Sequence, residues 1–180
     1  MAIIVGIIVL LACIGRLSLD LFKGRPTSST LLEYQRAVLY RQGLPVKEVG
    51  SGRYRVWTRR EKLVIVDARP IQVTFENQGV ALRDGSTAVY GISGTARVQD
   101  ARKAIYCARN YSQVPSFVLL CCTRLILNGL TASQLRSSKD TVVEEIISRA
   151  KPRLAAAGFE LLAFRLSQLS VDASTPRAAE

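Results

Sequence analysis

The sequence predicts an α+β domain preceded by an N-terminal membrane helix. Three observations carry this. Residues 2–15 are almost wholly apolar and the run extends to Phe22 past Arg16 and Asp20, residues from about 34 to 98 alternate or run apolar over strand lengths, and the period lengthens to that of helices after Asp100. Strands followed by helices define the α+β class. A last apolar segment after the longest helix returns the chain to its sheet.

The 180 residues suffice for one domain with a core plus a short appendage. An apolar content of 48% excludes disorder of the whole chain. The net charge of +11, from 25 Lys+Arg against 14 Asp+Glu, suits an anionic partner, either nucleic acid or an acidic lipid surface. The basic residues are spread along the chain, so they read as a general bias.

Histidine is absent, which removes the commonest general base and metal ligand. Ser-His-Asp hydrolases, Cys-His proteases and His-ligated zinc sites are thereby excluded. Cys13, Cys107, Cys121 and Cys122 form no CxxC spacing. Cys121 and Cys122 diverge by about 100° on a helix. They read as small buried hydrophobes in a reducing compartment. No cofactor, metal or catalytic residue is expected.

The anchor comes first. Ile3, Ile4, Val5, Ile7, Ile8, Val9, Leu10, Leu11 and Ile14 crowd the run from Ala2 to Gly15, and Leu17, Leu21 and Phe22 extend it. Arg16 and Asp20, four apart, can pair on one helical face. A helix from Ala2 to Phe22 would measure about 31 Å, the hydrocarbon thickness. It spans the bilayer or dips into it. A cleaved signal is the third reading, since Leu10-Leu11-Ala12-Cys13 resembles a lipoprotein box, but no Lys or Arg precedes Arg16. Arg16, Lys23 and Arg25 are candidate headgroup contacts. The basic residues after the segment predict a membrane protein, single-pass or monotopic, with its C-terminal domain in the cytoplasm.

Residues 23–30 read as a linker, because Gly24 to Thr30 is polar and rich in breakers. Strands are expected at Ala37–Tyr40, Arg53–Trp57, Leu63–Val66, Ile71–Phe75 and Thr87–Val98, with Gly43, Pro45, Gly50 and Gly52 punctuating the stretch between the first two. On the last of these strands Ala88, Tyr90, Ile92, Gly94 and Ala96 share a face. Asp84-Gly85 is a hairpin turn signal.

Asp100 is the expected N-cap of a first helix, Val114–Leu127 forms a second, and Ser138–Ala157 a third. Pro152 should kink or interrupt that third helix. Gly158 ends it, and Phe159–Leu169 reads as a buried strand. The expected boundaries are an anchor helix over 1–22, a linker over 23–30, one domain over 31–170 and a flexible tail over 171–180.

Specific residues resemble a known family. Glu33 to Gly43 (EYQRAVLYRQG) is similar to the opening signature of the stomatin/prohibitin/flotillin (SPFH, band 7) domain. Val66-Asp67-Ala68-Arg69, Leu82-Arg83-Asp84-Gly85, Ala104–Tyr111, Thr123–Leu135 and Gly158-Phe159-Glu160 resemble later motifs in the same order. The resemblance covers residues 31–170, and the anchor sits where the stomatin-like (slipin) branch has one. Gly50-Ser51-Gly52 replaces the usual Gly-Pro-Gly. Up to Glu180 there is no long charged coiled-coil stretch, so a smaller oligomer than a large ring or cage is expected.

The resemblance implies an SPFH-type fold of mostly antiparallel sheet with packed helices. It implies a non-enzymatic, self-associating scaffold that organises lipids or regulates a membrane protein. Implied partners are the bilayer, further copies of the chain, and an NfeD-type protein, protease or channel, with no nucleic acid.

Other motifs carry less. Gly91-Ile-Ser-Gly94 lacks GxSxG spacing and a histidine to activate Ser93, and reads as a strand under close packing. Ser138-Lys139 and Glu144-Glu145 are sequence neighbours that diverge on a helix. Arg53, Arg55, Arg59 and Arg60, interleaved with Tyr54 and Trp57, could meet nucleic acid or acidic headgroups, and the membrane segment favours lipid. The alternative to a scaffold is a membrane-tethered enzyme or subunit using carboxylate or Lys/Arg chemistry. The mass of the detergent-extracted protein discriminates between them.

Overall fold

The structure, a computed structural model, describes residues 26–172. The whole anchor expected over residues 1–22, with Arg16, Lys23 and Arg25, lies outside the described residues, as do residues 173–180. No helix among the described residues is long and apolar enough to cross a membrane.

The chain divides into two compact units, with the boundary between Asp67 and Ala68. The described residues of the first unit form only strands and turns. Strands β1 (Pro26–Leu31) and β4 (Gly52–Trp57) pair antiparallel, and β2 (Gln35–Arg41) lies between β3 (Leu44–Val49) and β5 (Glu61–Asp67) in a second antiparallel sheet.

Two expectations are corrected here. Residues 26–30, read as linker, form β1, because each pairs with a residue of β4, from Pro26 with Trp57 to Thr30 with Arg53. Polar side chains suit this strand, whose first five residues are exposed or half-exposed. The second correction is β3, which the breakers Gly43, Pro45 and Gly50 concealed. Pro45 fits at a bulge opposite Tyr40 on an edge strand, where no ladder donor is required of it. A small core of Leu31, Ala37 and Val49 holds this unit, with Tyr54 and Leu63 packed against it.

In the second unit β7 (Thr87–Val98) is central, flanked by β6 (Ile71–Ala81) and β8 (Phe159–Asp172), all antiparallel. The alternation read from the sequence holds: Ala88, Tyr90, Ile92 and Ala96 are completely buried. Among the described residues four α-helices come after β7: α1 (Ala101–Cys107), α2 (Val114–Leu127), α3 (Ala132–Ser137) and α4 (Lys139–Ala156). Asp100 caps α1 by accepting from the Lys103 N–H at 2.9 Å. Gly94 lets α2 approach the sheet, since a Cβ there would stand 2.9 Å from Leu119 Cδ1.

Helix α4 runs through Pro152 without the interruption that was one of the two outcomes expected there. Pro152 is exposed near the C-terminal end, while Val142, Ile146, Ala150 and Leu154 keep one face buried. Packing of that stripe outweighs one missing backbone bond. Strand β8 is likewise not the buried strand expected. It is an edge, with Leu162, Ala163 and Arg165 exposed and Phe159 and Leu166 buried.

Candidate interaction surface

The residues named from the sequence as anchor and headgroup contacts lie outside the described residues, and the candidate surface lies on the first folded unit. Strand β4 alternates as expected. Arg53, Arg55 and Trp57 are exposed, while Tyr54 and Val56 turn inwards. Arg53 donates to Ser28 Oγ at 2.8 Å across the β1–β4 pair.

One end of the first unit, where two of its turns meet, is shaped. Gln42 and Gly43, at φ +51 and +84, form the two-residue turn between β2 and β3. Trp57 to Arg60 form the turn between β4 and β5, closed by the Arg60 N–H donating to Trp57 O at 2.9 Å. The two turns are joined, because the Gln42 N–H donates to Arg60 O at 2.8 Å. Two clefts open there. One, of about 450 Å³, includes Tyr40, Arg59, Arg60 and Lys62 in its lining. The other, of about 410 Å³, is lined by Arg41, Gln42, Trp57, Arg60 and Glu61.

Among the described residues Glu61 is the only carboxylate in either lining, and its charge is engaged. Its Oε1 accepts from Arg41 Nε at 3.0 Å and Nη2 at 2.8 Å, and its Oε2 from the Trp57 N–H at 3.2 Å. The Trp57 N–H foremost, and then the Arg41 guanidinium, hold the Glu61 carboxyl below the usual carboxylate range. The clefts are therefore basic. Sequence reading named Arg59, Arg60 and Trp57 but missed Arg41, Gln42, Glu61 and Lys62. The usable signal was two short turns, Gln42-Gly43 and Thr58 to Arg60, at the ends of strands that pair.

The weaker motifs are not brought together. Ser93 is exposed on β7 opposite Arg165 and Thr74. Ser138 Oγ donates to Gln134 O at 2.7 Å, and Glu145 pairs with Arg149 at 2.9 Å on α4. Among the described residues no group of three or more acidic or cysteine side chains could hold a metal. The opening signature proves to be hairpin chemistry: Arg36 pairs with Glu48 of β3 at 3.5 Å, Val38 is buried, and Gly43 takes positive φ in the turn.

Comparison with known proteins agrees with this architecture. The family described as SPFH domain / Band 7 family matches residues 29–180. A stomatin homologue of Pyrococcus abyssi is 27% identical over 155 residues, 81% of this chain and 54% of that relative. A stomatin homologue of Pyrococcus horikoshii is 29% identical over 127 residues, 66% of this chain and 46% of that relative. The chain spans about half the length of the curated relatives it matches. A family match over nearly the whole described sequence, on a fold of antiparallel sheets and packed helices, admits one conclusion: the chain belongs to the SPFH domain / Band 7 family, with stomatin homologues among its relatives.

Proposed function

We propose that this chain is a membrane-anchored scaffold that self-associates and organises lipids or regulates a partner membrane protein. The observation that carries the reading is the family match over residues 29–180, directly after an apolar run over residues 2–22. A scaffold-type role in general agrees with the family. The finer role draws support from the apolar run and the basic balance of the chain. The partner would be an NfeD-type protein, a protease or a channel, and the folded units would face the cytoplasm.

The test is fractionation and then crosslinking in native membranes. Full-length protein is expected to float with membranes and to crosslink into a discrete oligomer with a co-purifying membrane protein. The same chain lacking residues 2–22 is expected in the soluble fraction. A freely dissolved full-length monomer, or turnover of a substrate by it, would overturn the proposal.

A further inference from the structure

Resting on the membrane-scaffold reading, we propose that the joined turns of the first unit form a docking site for the phosphate of an acidic phospholipid headgroup, held by Arg60 with Trp57 and Leu44 beside it, Lys62 adding positive charge from the neighbouring cleft.

The charge comes first. Arg60 lines both clefts and Lys62 lines the larger. Among the described residues neither side chain has an ion-pair partner, whereas Arg41 is committed to Glu61. Since Glu61 already accepts three donors, it has little capacity left to neutralise them. Arg60 therefore faces the cleft of Trp57 with no counter-charge of its own, and Lys62 strengthens the positive field from the cleft on the other sheet face.

Rigidity comes next. Arg60 sits in a closed turn whose carbonyl is bonded to the neighbouring turn, so its backbone is held before any ligand arrives. Apolar exposure then selects lipid over free phosphate. Trp57 is 41% exposed and lines the smaller cleft, and Leu44 is 71% exposed. Leu44 stands opposite Arg41, which stands opposite Glu61, so the exposed leucine belongs to the same row as the cleft carboxylate. A free anion would gain nothing from these two side chains, while the boundary between headgroup and acyl chain accommodates both.

Trp57 is the sole tryptophan of the chain, so its fluorescence reads this site alone. Full-length protein is reconstituted in vesicles of phosphatidylcholine and in vesicles also containing phosphatidylglycerol, and flotation is measured alongside emission. The expected result is equal flotation, with a blue-shifted emission and reduced acrylamide quenching only where phosphatidylglycerol is present. The double variant Arg60→Gln/Lys62→Gln should float equally, melt like the wild type and lose the shift. Flotation without a lipid-dependent shift, or a shift retained by the double variant, would overturn the headgroup site and leave the scaffold reading intact. Failure to float at all would overturn the scaffold reading itself. A shift produced in phosphatidylcholine vesicles by inorganic phosphate would assign the cleft to free phosphate and overturn the lipid assignment.

Discussion

The carboxylate of Asp84, in the turn between β6 and β7, accepts a hydrogen bond at 2.7 Å from the backbone N–H of Ala132, the first residue of α3. Beside it the Arg83 N–H donates to Leu130 O at 2.9 Å. Thr131 caps the same helix end in a capping box with Gln134. A hairpin turn thus supplies one acceptor for a helix whose own cap supplies the other.

Asp84→Ala should lower the melting temperature at neutral pH. The loss removes an acceptor from an orphan helix donor and from Ser86. The pH dependence has a definite sign. The Ser86 hydroxyl first, then the Ala132 N–H, hold the Asp84 carboxyl below its usual range, and Glu61 is depressed as well. A depressed folded-state value means that the contribution is complete above the unfolded value of about 4 and is lost as pH falls through the folded one. Melts recorded from pH 7 downwards should stay level to about pH 5 and then fall. The acid-side fall should be shallower in Asp84→Ala, and an identical fall would remove Asp84 from the account.

Gly158→Ala should destabilise the second unit by more than about 1 kcal/mol. Gly158 has φ +84, and a Cβ there would stand 2.5 Å from Asp100 O and 2.9 Å from Ala104 N. Its carbonyl also accepts from Gln99 and Asp100, so the end of α4 and the start of α1 meet at one glycine. Urea denaturation measures the cost, and a wild-type midpoint would contradict the close approach.

Tyr90→Phe should leave stability unchanged or raise it by up to about 1 kcal/mol. Tyr90 is completely buried, and its hydroxyl has no hydrogen-bond partner of good geometry among the described residues. Burial pushes the phenol above its ordinary value, and the nearby Arg124 guanidinium pulls the other way. Tyr90→Ala should instead cost about 3–5 kcal/mol, through the cavity left. Destabilisation of the phenylalanine variant by more than about 2 kcal/mol would mean that the hydroxyl is satisfied.

Pro152→Ala should stabilise α4 by about 1–2 kcal/mol, since a backbone donor returns to an unbroken, exposed helical position. Thermal melts of the two proteins test this directly. A lower melting temperature in the variant would show that the proline is favoured there.

Local pattern was sufficient wherever neighbours in sequence decide the outcome. The inward face of β7, the Asp100 cap, the Val114–Leu127 helix and the Asp84-Gly85 turn all arise from spacing and side-chain type. Family membership was legible for a related reason: the signature from Glu33 to Gly43 spells out a hairpin, whose turn and ion pair need those residue types in that order. What tertiary structure alone decided is pairing over distance. Polar residues 26–30 become a strand because β4 offers them a ladder, and Pro152 stays helical because a buried stripe holds α4. Arg41 meets Glu61, and Gln42 meets Arg60, only once β2 and β5 lie side by side, so each segment showed a turn but not the cleft that the two turns make together. Sequence dictates what each segment can satisfy by itself; which distant group satisfies the remainder is settled by closing the sheet.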